Sequence, residues 1–309
     1  MPELPEVETV RRGLAPHMED RVIRKVTLTR PDLRFPFPAN FEAALTGARI
    51  ESVTRRAKYL LAHVHPIGAP AQIWLSHLGM TGRFQVYATG RGAQARMDAS
   101  TDAPSNEISN EALGVYKNTL AAGVVQKHVH VRLELDDDTL ITYADPRRFG
   151  FMDLTPATGP SRFLESLGPE PLGNAFDDAY LLAACATRQS PVKSVLLDQK
   201  VVAGLGNIYV CEALFRAGIS PKRKAANLGP VRVRRLVPAI RNVLGEAIAA
   251  GGSTLRDFAD SDGNLGYFQH GFAVYDRAGE LCTTPDCGGN VTRIVQSGRS
   301  SFYCSACQR

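Results

Sequence analysis

The feature that most constrains this chain lies at its end, where Cys282, Cys287, Cys304 and Cys307 stand as C-x4-C-x16-C-x2-C. Two close cysteine pairs separated by a hairpin-length spacer suit tetrahedral zinc. Each pair can turn back on one ion while the spacer folds as two short strands. Residues 291–296 and 299–303 read as those strands, with Ser297-Gly298 as the turn. The rival is a pair of disulfides, but the first thirty residues carry no apolar signal core to indicate an oxidising compartment. One zinc ion is therefore expected. Cys185 and Cys211 sit in apolar helical contexts and read as core.

A chain of 309 residues fits two or three domains. With 44% hydrophobic and 22% charged residues, wholesale disorder is excluded. No apolar run reaches the ~18–20 residues that a membrane span needs. The net charge is +5. Its distribution says more than the sum: residues 216–241 hold eight basic side chains and no acidic one, a candidate phosphate-facing surface or a solvated helix face.

The first half reads as strands. Residues 129–135 alternate apolar and polar, Asp136-Asp137-Asp138 turns the chain, and 139–143 returns. Residues 22–28, 59–64, 73–77 and 83–87 are further strands, which suggests an antiparallel sandwich or barrel. Residues 88–122, poor in large apolar groups, read as an insertion. Residues 155–160 read as a linker. Helices follow: a short one capped by Ser161 and ending at Gly168-Pro169, then 177–188, one opened by Ser190-Pro191, one ending at Gly218, and a long amphipathic stripe from Val233 to Ile248. Pro238 should kink that last helix or shift its start. A glycine-rich loop, 251–266, precedes the cysteines.

At the amino end, Pro5 fits a first helical turn, and Val7, Val10 and Leu14 form one apolar face. A capped surface helix explains Glu6 and Glu8 but not Pro2-Glu3 ahead of it. Loss of Met1 would expose Pro2 as a secondary amine, partly neutral at physiological pH and able to attack a sugar C1′ as an iminium-forming nucleophile. Glu3 could then protonate the opening sugar oxygen.

Eight motifs in order resemble one family. They are PELPEVETVRRGL at the start, RRAKYL at 55–60, HLGMTG at 77–82, DPRRFG at 145–150, LGPEPL at 167–172, AGLGNIY at 203–209, GGSTLRDF at 251–258 and the four-cysteine finger. Together they resemble bacterial formamidopyrimidine-DNA glycosylase. The resemblance implies an α+β protein: an N-terminal antiparallel β-sandwich with flanking helices (1–155), a helix-two-turn-helix region (161–250), a lesion-recognition loop (251–271) and a β-hairpin zinc finger (272–309). It implies a bacterial, cytoplasmic, nucleoid-associated repair enzyme acting as a monomer on double-stranded DNA that contains an oxidised purine. The base would be excised through a Pro2 Schiff base and the backbone cleaved by β,δ-elimination.

Carried over by motif, Pro2 is the nucleophile, Glu3 the general acid and Glu6 a helper. Lys58 contacts phosphate and donates a proton in β-elimination, and Arg299 serves δ-elimination. Met80, Arg147 and Phe149 match wedge residues that fill the space of an extruded base. Their neighbours Gly79, Gly82 and Gly150 argue for exposed turns rather than core. His128, Arg188, Lys193 and Asn207 match further DNA contacts, and Ser253 is a candidate lesion-pocket residue. His128 and His130 also read as a pair on one polar strand face, which suits a solvated or phosphate-contacting role better than a metal. Gly204-x-Gly206 suits a phosphate-binding turn better than a dinucleotide loop, since Tyr209 stands where a third glycine would be. One departure is plain: the family's finger usually has two residues between its first cysteines, and here there are four. The rivals are the related endonuclease VIII branch, which prefers oxidised pyrimidines, and a binding-only zinc protein on the same scaffold.

Overall fold

The computed structural model describes residues 2–87, 128–253 and 268–309. The insertion expected at 88–122 and most of the 251–266 loop lie outside them.

Alternation of apolar side chains builds two four-stranded antiparallel sheets. One has the order β1 (Ile23–Leu28), β6 (Val129–Leu135), β7 (Leu140–Ala144), β5 (Arg83–Tyr87). The other has the order β2 (Arg49–Arg56), β3 (Tyr59–His65), β4 (Gln72–His77), β8 (Phe151–Pro156). Their inner faces share a core of Ile23, Val26, Ile50, Val53, Trp74, Val131, Leu133 and Tyr143. The expected antiparallel sandwich is therefore present.

Two of its strands were not legible. In β2 the register shifts between Ile50 and Ser52, so Ile50 and Val53, three apart, both face inward and the period-2 signal is lost. β8 takes in Thr155 and Pro156, which read as linker; Pro156 ends an edge strand, where its missing N–H costs no ladder bond.

Helix α1 (Leu4–Met18) is shared between two cores. Val7, Val10, Leu14 and Met18 pack into the sandwich. Leu4 belongs instead to the helical core, with Leu205, Ile208 and Tyr209. Glu6 Oε2 reaches back to accept the Glu3 N–H at 2.8 Å, fixing the first turn. A short helix, α2 (Phe41–Leu45), closes the sandwich.

The helical half contains α3 (Asp178–Cys185), α4 (Val192–Leu197), α5 (Asn207–Arg216) and α6 (Gly229–Ala249). Asp177 caps α3 by accepting the Tyr180 N–H at 2.7 Å. Helix α6 neither breaks nor starts at Pro238: it runs on both sides of that residue, whose ring faces solvent while Val233, Leu236, Val237, Ile240 and Leu244 are buried. The expected short helix after Ser161 is a run of turns, in which the Ser161 carbonyl accepts the N–H groups of Leu164 and Glu165.

The finger is a hairpin of β9 (Val291–Gln296) and β10 (Arg299–Cys304). Ser297 and Gly298 both have positive φ, 49° and 74°, which the two-residue turn of a tight hairpin requires. Val291 and Phe302 pack on Cys211 of α5, which confirms Cys211 as core. No helix of the described residues is long and apolar enough to cross a membrane.

Candidate active site and nucleic-acid interface

The site forms where the first residues of α1 meet the amino end of α5. Pro2 and Glu3 are buried there. The Leu4 N–H donates to the Gly204 carbonyl at 3.1 Å, and Glu3 Oε1 accepts the Ile208 N–H at 3.1 Å. Glycines make this approach possible. Gly204 has φ +82°, and a Cβ there would lie 2.7 Å from Leu4 Cδ1. A Cβ on Gly206 would lie 2.2 Å from the Glu3 carboxyl carbon. The AGLGNIY turn thus receives a carboxylate of the chain itself.

Burial pushes the Glu3 pKa up, Lys58 pulls against it, Glu6 adds to it, and the Ile208 N–H opposes. The net shift is upward, toward a carboxyl that holds a proton. Lys58 is itself buried, and burial lowers its pKa; Glu3 offsets this while Arg299 reinforces it. Lys58, Glu3 and the finger's Arg299 therefore share one electrostatic neighbourhood, although they come from a β-turn, the amino terminus and the hairpin. The Lys58 turn is held by Glu170, which accepts the Ala57 N–H and both Arg55 and Arg56 guanidinium groups.

Glu6 does not face open space. Its Oε1 accepts the Tyr209 hydroxyl, the Ser253 N–H at 2.9 Å and the Ser253 hydroxyl at 3.0 Å. Ser253 was expected in a lesion pocket. It is buried, and both its polar groups are committed to Glu6, so it anchors the start of the 251–266 loop to α1.

Lys193 also departs from expectation. Read as a DNA contact, it has no exposed surface; its ammonium donates to the Ser300 carbonyl and Ser301 Oγ, both at 2.7 Å. It bolts α4 to the finger. Asn207 Nδ2 donates to the same Ser300 carbonyl at 2.9 Å. Arg188 is exposed, with Asp198 3.4 Å away. His128 is exposed with φ 72° in a turn, whereas His130 is buried and its Nε2 meets the Asp145 carbonyl at 2.9 Å. The two histidines thus do not share a polar strand face, because the register shifts between Val129 and Val131.

Met80, Arg147 and Phe149 come together on the surface. Met80 is 39% and Phe149 43% exposed, and the Arg147 guanidinium lies 4.6 Å from the Phe149 ring centre. Neither apolar side chain is core. Of the eight basic residues in 216–241, Arg216 pairs with Glu246, and Arg241 donates to the carbonyls of Pro171, Gly173 and Phe176. Arg223 Nε donates to the Arg309 main-chain oxygen at 3.4 Å, and Lys222, Lys224, Arg232, Arg234 and Arg235 have no Asp or Glu partner within 4 Å among the described residues.

The sulfurs of Cys282, Cys287, Cys304 and Cys307 all lie within 4.8 Å of one another. The Cys282–Cys307, Cys287–Cys304 and Cys287–Cys307 separations are 3.7, 3.6 and 3.1 Å. Four thiolates ~2.3 Å from one ion would stand about 3.8 Å apart, so the cluster fits a metal, and no pair is at disulfide distance. The four-residue spacing between the first two cysteines does not prevent this.

Comparison with known proteins decides the family. Residues 1–152 match the formamidopyrimidine-DNA glycosylase N-terminal domain, and residues 167–259 match its H2TH domain. The chain belongs to the formamidopyrimidine-DNA glycosylase family. It is 53% identical to the formamidopyrimidine-DNA glycosylase of Ruegeria pomeroyi and 52% identical to that of a Jannaschia species, each over the full length of both chains. Among solved structures it is similar to the MutM (Fpg) protein of Thermus thermophilus, with 37% identity, TM-score 0.77, and 99% and 98% of the two chains covered. It is also similar to a Lactococcus lactis Fpg mutant in complex with a Fapy-dG containing DNA, with 30% identity, TM-score 0.80 and full coverage of both. Within this glycosylase fold, sequence reasoning missed Tyr209, Glu170, Thr81 and Asp145. All four lie in or beside quoted motifs, but their roles depend on partners far along the chain.

Proposed function

We propose that this member of the family is a bifunctional DNA glycosylase and AP lyase that excises oxidised purines. The observation that carries the reading is a buried carboxyl, Glu3, whose pKa is raised beside Pro2 and Lys58. After Met1 is removed, the Pro2 nitrogen attacks C1′ of the extruded nucleotide, the C1′–N bond to the base breaks with its electron pair going to the base, and the proton shed by the Pro2 nitrogen balances the one the base takes up. Glu3 gives its proton to the sugar O4′ as the ring opens, which leaves an iminium ion on Pro2. Loss of a C2′ proton then expels the 3′ phosphate, and a second elimination expels the 5′ phosphate. Lys58 and Arg299 supply positive charge to those leaving groups. Met80, Arg147 and Phe149 occupy the space the base vacates, and Arg147 hydrogen-bonds the orphaned partner. The purine preference is supported by this triad and by the names of the relatives.

The four cysteines suit one zinc ion, which ties the two ends of the finger together and so fixes the hairpin that carries Arg299.

The test is borohydride trapping on duplex DNA with 8-oxoguanine opposite cytosine, followed by peptide mapping. The expected result is a covalent adduct on Pro2. An adduct elsewhere, or thymine glycol excised with 8-oxoguanine untouched, would refute the reading.

A further inference from the structure

Beneath the wedge, a buried carboxylate joins the two turns that carry it. Asp145 is fully buried. Its Oδ1 accepts the Thr81 hydroxyl, and its Oδ2 accepts the Gly150 N–H at 2.8 Å. The Thr81 oxygen in turn accepts the Arg147 N–H at 3.2 Å. One hydroxyl thus donates to the first residue of the 145–150 turn and accepts from its middle. The backbones are also in contact: a Cβ on Gly79 would lie 2.3 Å from Gly150 N and from the Phe149 carbonyl carbon. Behind them the Tyr143 hydroxyl leaves no room, since a Cβ on Gly82 or Gly150 would come within 2.2 or 2.0 Å of it. Met80 precedes Thr81 directly, and Phe149 precedes Gly150. All three exposed side chains therefore stand on one pinned unit.

We propose that Thr81 and Asp145 are positioning residues for base extrusion. They hold Met80 in fixed relation to Arg147 and Phe149, so that the three side chains enter the duplex together. Unstacking a base step is unfavourable, and a turn free to yield would retreat instead of delivering that work. A buried carboxylate whose oxygens are taken by both turns resists such yielding, because freeing either turn leaves it short of a donor. The proposal rests on reading Met80, Arg147 and Phe149 as a DNA wedge.

The test compares Thr81→Val, which keeps the shape and deletes both hydrogen bonds, with Thr81→Ser, which keeps them. The probe is a duplex carrying 2-aminopurine beside a tetrahydrofuran abasic analogue, whose fluorescence rises when the wedge unstacks it. At saturating protein, Thr81→Val is expected to lose about half or more of the rise, and Thr81→Ser to retain it. Single-turnover excision from an 8-oxoguanine–cytosine duplex should slow about tenfold in Thr81→Val, with cleavage at a preformed abasic site changed less than about twofold. An unchanged fluorescence rise in Thr81→Val would overturn the proposal. So would an equal loss on both substrates, or a wild-type protein that gives no rise. If the wild type fails to excise, the proposed chemistry fails, while the contrast between the valine and serine variants still decides the pin.

Discussion

Glu3 and Ile208 are 205 residues apart in sequence, and the carboxylate of one accepts the N–H of the other at 3.1 Å. That bond uses only Oε1. Oε2 is buried and has no hydrogen-bond partner among the described residues. Burial without a second hydrogen bond favours the protonated form of a carboxylate, in line with the raised Glu3 pKa.

Glu3→Gln should lower base excision by about 10²-fold or more, the usual range for loss of a general acid. Borohydride trapping on preformed abasic DNA should suffer far less, since an abasic sugar already reaches its open aldehyde form without a proton from Glu3. The wild-type excision rate should fall as pH rises through the raised Glu3 pKa, where the proton is lost, and Glu3→Gln should lack that limb. Single-turnover rates across pH check both points.

Gly206→Ala should disable the site without touching a reactive group. The added Cβ would lie 2.2 Å from the Glu3 carboxyl carbon, so Glu3 or the start of α5 must move. Excision should drop by at least about tenfold, because small misplacements of reacting groups are costly. A rate within about twofold of wild type would show that the carboxylate can shift freely.

His77 predicts an acid limb in stability. Burial lowers its pKa from 6.5 to about 4, and its Nδ1 accepts the Gly79 N–H at 3.1 Å, which requires that nitrogen unprotonated. Between pH 6.5 and 4 the unfolded chain takes up a proton that the folded chain refuses. Stability should therefore fall as pH drops through that window, by about 3 kcal/mol in full. His77→Asn should flatten this part of a denaturation-against-pH curve.

Lys193→Met should loosen the finger rather than weaken a phosphate contact. It removes the two hydrogen bonds that Lys193 donates, to the Ser300 carbonyl and to Ser301 Oγ, for an expected loss of about 1–3 kcal/mol. Zinc transfer to a chelator should quicken, while the slope of log affinity for DNA against log salt stays the same. A slope reduced by about 0.9 would restore Lys193 as a phosphate contact.

What the sequence revealed followed from the range of its signals. The cysteine spacing, the Ser297-Gly298 turn and the strand at 129–135 are local signals, and the structure reproduces each, although His130 is buried and breaks the alternation. The antiparallel sandwich followed from several such runs. The bulge at Ile50/Ser52 hid β2 because an extra residue breaks a period of two. Lys193 read as a DNA contact and Ser253 as a lesion-pocket residue because nothing local marks a lysine whose partners lie 107 and 108 residues away, or a serine whose partner is Glu6. Asp145 was seen only as the start of a motif, since its partner Thr81 lies 64 residues earlier.

Leu4 sits in the helical core while Val7, Val10 and Leu14 sit in the sandwich, beginning one turn further along the same helix. Each half of the protein thus borrows part of its interior from a segment that also lines the other. The two halves are expected to melt as one cooperative unit, and neither should persist intact if expressed alone. Under the proposed chemistry the Pro2 end of the chain is also intolerant of extension. A tag left before Pro2 would hold its nitrogen as an amide, and borohydride trapping should then fail.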